Sequence, residues 1–341
     1  MQQNRTELLE KWLKEDKLKC SEALGDLIKP VSPKFALSVY LRCEASAKVI
    51  QCFAETGEFD KIVLYAKKVN YTPDYVYILR MVLRSNPDQA VEFAKSLVQD
   101  EPPLADLGQI VGAFEELKLN QHCTKFLLPV LEANREDQGA LQTRLLEMNL
   151  MMAPQVADAI LAQGKLTHYD KQRIASLCEQ CGMTQRALEN YTDLFDIKRA
   201  VIHTNVLNRD WLLTFFGTLS VDDSLECLRE MLTKNIRQNL QVCVQIASKY
   251  HQQLGSTALI DLFESFKSYE GLFYFLGAIV NTSEDSEVHF KFLEAAVKTG
   301  QTKEVERLCR ESNHYDPERV KNFLKEAKLS DQLPLIICCD R

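Results

Sequence analysis

Apolar residues recur along this chain at spacings of three and four, with polar residues between them, which is the period of an amphipathic helix. Four such stripes are Val49-Ile50-Phe53-Ala54, Ile62-Tyr65-Ala66-Val69, Val156-Ala159-Ile160 and Ile174-Leu177-Cys178-Cys181. They predict helices of roughly 9–15 residues joined by short loops. Because no strand pattern lies between them, we predict an all-α fold.

A helix–turn–helix pattern occurs three times, each time at a glycine. Gly57, Gly182 and Gly300 each follow an apolar-periodic helix, and a second helix starts within a few residues. Glycine is favoured just past a helix end because the chain there adopts a left-handed conformation that a Cβ would crowd. We therefore expect a positive φ at all three. Helical hairpins repeated in this way stack into an α-solenoid. A fold of this kind provides an extended binding surface and a stiff support.

Prolines mark the predicted helix starts. Thr72, Asn86 and Asp316 each stand before a proline that an acidic residue follows. The side-chain oxygen of a capping residue satisfies an orphan N–H, proline suits the first helical position, and the acid interacts favourably with the positive end of the helix dipole. We predict all three as helix caps. Pro129 lies inside an apolar run instead, and we expect it to kink or divide its helix.

Charge and composition narrow the class of function. The net charge of −7 argues against a general nucleic-acid binder, which needs a basic surface. No apolar run approaches the roughly 18 residues of a membrane-spanning helix, and residues 1–5 carry no apolar signal core. The 11 cysteines fall mostly on apolar helix faces, which is typical of reduced thiols in the cytosol.

Candidate chemistry is sparse. Cys178 and Cys181 form a C-x-x-C near a helix end, whereas a redox pair normally opens a helix after a strand. His168 is ten residues upstream and no second cysteine pair follows, so a zinc site lacks ligands. We expect two buried, reduced thiols without metal. No phosphate loop, G-x-S-x-G or H-E-x-x-H is present, and we predict no catalytic, cofactor or metal site.

Aromatic residues are dense over residues 263–275. Six occur there: Phe263, Phe266, Tyr269, Phe273, Tyr274 and Phe275. The simplest interpretation is the core of one helical hairpin, and a partner-binding patch is the alternative.

Seven stretches closely resemble the clathrin heavy chains. They are residues 8–27, 48–69, 145–161, 196–204, 235–254, 262–281 and 304–341, the last reading EVERLCRESNHYDPERVKNFLKEAKLSDQLPLIICCDR. They are dispersed over essentially the whole chain. The resemblance implies a right-handed superhelix of stacked hairpins from the ankle and distal leg. It further implies the end of one repeat module at residues 1–118, a complete module at 119–266 and the start of another at 267–341.

The resemblance also implies a function. The segment would be a structural scaffold of the clathrin coat, packing with other heavy-chain legs on the cytosolic face of coated pits and vesicles, with no cofactor, nucleic acid or inserted membrane segment. Accessory coat proteins could dock at the ankle. Adaptor peptides and light chains would bind a β-propeller and a proximal leg, both expected to be absent here. The alternatives are a vacuolar-sorting tether subunit, an adaptor-type binding module, or a thiol-dependent enzyme using Cys178 and Cys181.

Overall fold

The computed structural model describes residues 11–13, 15, 17–99 and 102–327. Every regular element in that part of the chain is helical, which confirms the all-α prediction. The chain divides into two compact units, residues 1–170 and residues 171–341. Each unit is a stack of helical hairpins, as in an α-solenoid.

After the helical residues 11–13, the first unit contains ten α-helices in its described residues. They are α1 Glu22–Ile28, α2 Pro33–Arg42, α3 Ser46–Thr56, α4 Phe59–Lys68, α5 Tyr75–Ser85, α6 Pro87–Val98, α7 Leu107–Glu116, α8 Asn120–Val130, α9 Gly139–Met152 and α10 Pro154–Gln163. Neighbours in sequence pack together, and so do alternate helices such as α4 with α6, α5 with α7 and α6 with α8. This combination of contacts builds two layers of stacked hairpins.

The second unit repeats the pattern with ten further helices in its described residues. They are α11 Lys171–Gln180, α12 Thr184–Asn190, α13 Leu194–Val201, α14 Arg209–Phe216, α15 Val221–Leu254, α16 Ser256–Ser265, α17 Tyr269–Ile279, α18 Ser286–Lys298, α19 Thr302–Glu311 and α20 Pro317–Glu326. Here α15 packs on α17, α16 on α18, and α18 on α20. The long α15 is broken at Asn235, whose φ of −157° is not helical.

Four prolines open helices in the described residues. They are Pro33, Pro87, Pro154 and Pro317. Pro129 lies in the last turn of α8, which ends one residue later and passes into a short 3₁₀ helix, Leu131–Ala133. The proline lacks the N–H that would extend the helical ladder, so the chain turns there.

The predicted stripes agree with the observed core in part. Val49, Ile50 and Phe53 of α3 are buried. The third stripe was wrong at Val156 and Ala159, which are exposed, but Ile160 is buried as predicted, and Ala157 packs inward beside it. When alanines flank the apolar positions of a helix, its period alone does not decide which of two neighbouring positions faces the core.

Candidate functional site

Seven helix-ending turns whose central residues the structure describes share one main-chain geometry. The residue at the centre of each turn has a φ between 52° and 77°. The next residue donates its N–H to the carbonyl five residues earlier, with N···O distances of 2.8–3.0 Å. These bonds run from Ala45 to Tyr40, Glu58 to Phe53, Tyr71 to Ala66, Leu119 to Phe114, Met183 to Cys178, Ser268 to Phe263 and Gln301 to Ala296. Each turn therefore pairs a carbonyl that the helix end would leave without a partner.

The three glycines predicted at turns occupy the centres of three of these seven. Gly57, Gly182 and Gly300 have φ values of 75°, 77° and 75°. A Cβ at Gly182 or Gly300 would meet nothing within 4 Å. The requirement for glycine at these two turns therefore comes from the backbone conformation and not from crowding by neighbours.

The other four turns have no glycine, and the sequence analysis missed them. Their central residues are Glu44, Asn70, Lys118 and Lys267. A non-glycine residue in this conformation is uncommon, asparagine being the best tolerated of the four. The local sequence therefore carries no strong signal that would predict these four turns.

A longer-range aromatic spacing marks three of the turns. In each of these turns, one aromatic residue lies four positions before the turn centre. A second aromatic residue lies twelve positions after that first aromatic residue. The ring pairs are Phe53–Tyr65, Phe114–Phe126 and Phe263–Phe275, with centroids 6.2, 5.8 and 5.8 Å apart. Each pair joins the two helices of one hairpin across its turn, and this spacing is a signal that could have identified Lys118 and Lys267.

Two of the predicted caps make the expected hydrogen bonds. The Oδ1 atom of Asn86 accepts from the N–H of Gln89 at 3.2 Å, at the start of α6. The Oδ1 atom of Asp316 accepts from the N–H of Glu318 at 3.0 Å, at the start of α20. Both side chains thereby fix the entry of a helix.

The predicted cap at Thr72 was wrong. The helix begins at Tyr75, and the N-cap is Asp74, whose Oδ1 accepts from the N–H of Tyr77 at 2.9 Å. Aspartate is the stronger cap, and a start at this position buries Tyr75. Pro73 therefore precedes the cap and does not occupy the first helical turn.

The two thiols of the C-x-x-C lie in different environments. Cys178 is buried in α11, and its carbonyl accepts the turn hydrogen bond from Met183. Cys181 is exposed, so the expectation that both are buried was wrong for this residue. The helix ends at Gln180. Cys181 lies one residue beyond that end, so its side chain no longer lies on the buried face of the helix. Across the described ranges, no three His, Cys, Asp or Glu side chains cluster as metal ligands.

An ion-pair cluster joins α16 to α18. The Nζ atom of Lys291 lies 2.6 Å from an oxygen of Glu264 and 3.1 Å from one of Glu294. Lys298 pairs with Glu294 at 2.6 Å. Burial alone would raise the pKa of Glu294, but the hydrogen bonds from Lys298 and Lys291 outweigh it and hold that pKa below its ordinary value.

The aromatic cluster contributes to both the core and a surface groove. Phe263 and Phe275 are buried, which fits the core interpretation, whereas Tyr274 is 56% exposed. Tyr269 and Tyr274 line a groove of about 880 Å³ between the second half of α15, the start of α17 and the end of α18. We call it the α15–α17 groove. Its volume lies within the range of ligand-binding clefts.

No helix in the part of the chain that the structure describes is both long and apolar enough to span a bilayer.

Comparison with known proteins gives a consistent result. Residues 99–240 and 247–340 match the Clathrin family, described as a region in clathrin and VPS. The chain is 69% identical over 339 residues to the clathrin heavy chain of Drosophila melanogaster and 67% identical over 341 residues to clathrin heavy chain 2 of Homo sapiens. It is 52% identical over 341 residues to the clathrin heavy chain of Dictyostelium discoideum. These matches cover 99–100% of the chain but only 20–21% of each relative, so the chain spans about a fifth of their length.

Proposed function

Since this chain belongs to the clathrin heavy-chain family, we propose that it forms part of the extended leg of a vesicle coat and acts there as a structural scaffold. The observation that carries the proposal is the identity of 67–69% over essentially the whole chain. Because the relatives named above are all heavy chains, a coat scaffold is favoured over a vacuolar-sorting tether or an adaptor-type module.

The packing within each unit supports a mechanical role. Helices contact the next helix and the one after it, so deformation can be shared among many similar interfaces. The repeated turn hydrogen bonds fix the angle at which each hairpin closes. We propose that the segment has no reaction of its own.

We further propose repeat modules at residues 1–118, 119–266 and 267–341. Both internal boundaries fall at turns of the same construction, centred on Lys118 and Lys267. Each turn carries a stacked phenylalanine pair, Phe114–Phe126 in one and Phe263–Phe275 in the other. The turn centres are 149 residues apart (267 − 118), which supports a period of that size.

We propose other heavy-chain legs as the main partners, through side contacts that are individually weak. Many weak contacts add up in a lattice and still permit disassembly. Accessory coat proteins would dock on residues 1–118, whereas light chains and adaptor peptides would bind other parts of a full heavy chain. The place of action would be the cytosolic face of coated pits and vesicles.

A chimera tests this function directly. The matching part of the Drosophila heavy chain is replaced by this chain, and purified full-length chimera is assembled into coats and viewed by electron microscopy. We expect the chimera to form closed coats, as the unmodified heavy chain does. A second chimera carrying Phe263→Asp, which places a charge at a buried position of the core, should form no coats. A chimera that folds cooperatively yet never enters coats, or that co-purifies with tethering-complex subunits, would contradict the proposal.

A further inference from the structure

The floor of the α15–α17 groove is apolar and only partly covered. Ile236, Leu240 and Val244 follow one another at four-residue spacing along α15, so they lie on one helix face. All three are half-buried, and Tyr269 and Tyr274 extend the apolar surface on the α17 side. A face of this kind can bind the apolar side chains of another molecule.

Positive charge predominates at the groove. Arg237, Lys267 and Lys298 line it, against one carboxylate, Glu270. Lys298 is already paired with Glu294. Among the described residues, no carboxylate forms an ion pair with Arg237 or Lys267 within 4.0 Å. Although the chain as a whole carries a net charge of −7, two available cations beside an apolar floor favour an acidic ligand at this site.

Lys267 occupies a position where glycine would suit the backbone better. It is the centre of a turn with a φ of 52°, the conformation that glycine adopts at Gly57, Gly182 and Gly300. The lysine therefore costs stability at this turn, and its side chain lines the groove. Replacing this lysine with glycine should therefore not destabilise the turn.

The groove also contains an acceptor without a donor. Gln245 lines it, and its Oε1 atom is buried and accepts no hydrogen bond from the described residues. A buried acceptor of this kind costs stability unless a ligand supplies a donor. The main chain of an extended peptide has N–H groups available, whereas those of a helix are mostly used internally.

We propose that the α15–α17 groove binds an extended peptide segment of a partner protein, with apolar side chains on the floor and carboxylates beside Arg237 and Lys267. Rotation of the Gln245 side chain toward the groove would let its Oε1 atom accept one main-chain N–H of the peptide. We expect coat assembly by the chimera to be independent of peptide binding at this groove, so the two tests can fail separately. Residues 328–341 of this chain carry two acids and two bases, so their charge does not match the groove.

The test begins with a random nonapeptide library displayed on phage and selected against the purified 341-residue chain. We expect the enriched peptides to combine at least two acids with aliphatic or aromatic residues. An enriched peptide is then synthesised with a fluorescent label, and its affinity is measured by polarisation. Enrichment of basic peptides, or no enrichment, would overturn the proposal.

Variants separate binding from folding. Lys267→Gly removes one cation at a position where glycine suits the backbone, and with Arg237→Glu it should weaken peptide binding about tenfold without lowering the melting temperature. The control pair Lys303→Glu and Arg310→Glu changes exposed cations outside the groove and should leave affinity unchanged. Equal weakening by both pairs would show a general charge effect and overturn the site.

A third variant tests the unpaired Oε1 atom of Gln245. Gln245→Leu should raise the melting temperature, since the unpaired acceptor is gone, and should also weaken peptide binding. A melting temperature that rises with unchanged affinity would show that Gln245 has no part in binding. Self-association of the wild-type chain that is lost in the Lys267→Gly and Arg237→Glu pair, seen by sedimentation, would show that a second copy occupies the groove instead.

Discussion

The side-chain amide of Asn239 donates a hydrogen bond of 2.7 Å to the main-chain carbonyl of Met231, eight residues earlier in α15. The helix is broken between them at Asn235, so the amide supplies a donor at the break. The Oδ1 atom of Asn239 accepts from the hydroxyl of Thr204 at 2.6 Å. One fully buried side chain thus bridges the break and ties the helix to the segment before α14.

Replacing this residue should be costly. Asn239→Leu would leave the Met231 carbonyl without the amide donor and the Thr204 hydroxyl without its acceptor, so we expect a loss of roughly 2–3 kcal/mol in the free energy of unfolding. Urea unfolding followed by circular dichroism measures it. The control Gln253→Leu, at an exposed position of the same helix, should stay within about 0.5 kcal/mol of the parent. Equal midpoints for the two variants would show that the bridge contributes nothing.

The turn at Gly182 allows a separation of backbone and packing effects. Gly182→Val should lower the free energy of unfolding by about 1–3 kcal/mol, because valine rarely adopts a φ of 77°. Gly112 lies inside α7, and a Cβ there would also meet nothing within 4 Å. Gly112→Val should therefore be within about 0.5 kcal/mol of the parent. Should Gly182→Val melt like the parent, the turn does not need glycine.

The start of α5 gives a matched pair of cap variants. Asp74→Ala should cost about 1 kcal/mol, because the N–H of Tyr77 loses its acceptor. Thr72→Ala should be nearly neutral, since the Thr72 side chain is exposed and does not cap the helix. Thermal unfolding of both variants decides between the two positions. A larger loss for Thr72→Ala would restore the cap first predicted from the sequence.

The ion-pair cluster between α16 and α18 predicts a pH dependence. The folded-state pKa of Glu294 lies below its ordinary value of 4.5, so its stabilising contribution is present above that value and is lost as the pH falls through the folded-state pKa. Glu294→Gln should therefore show a flatter fall in melting temperature than the parent below about pH 5. Glu284→Gln, at an exposed loop position, should follow the parent curve. Parallel curves for the parent and Glu294→Gln would contradict this assignment.

Much of the fold follows from short-range chemistry. The turns at Gly57, Gly182 and Gly300 and the caps at Asn86 and Asp316 depend on hydrogen bonds between residues no more than five positions apart. Helical period fixes most of the buried faces in the same local way. These features could be predicted because the interacting groups are close together in sequence.

Competing local signals limited that prediction. Thr72 and Asp74 are both capping residues beside one proline, and only the buried position of Tyr75 selects the second. Cys181 matches the period of its helix, yet the helix has already ended. In each case two local patterns fit, and packing decided between them.

The sequence by itself determined the helical hairpins, three of the seven turns described above and, through resemblance, the family. Only the tertiary structure decided which distant groups meet. Asn239 reaches Thr204 across 35 positions. The α15–α17 groove brings together Arg237 of α15, Lys267 of the turn before α17 and Lys298 of α18. The physical reason is that a local hydrogen bond depends on a few neighbouring dihedral angles, whereas a groove depends on how whole helices pack.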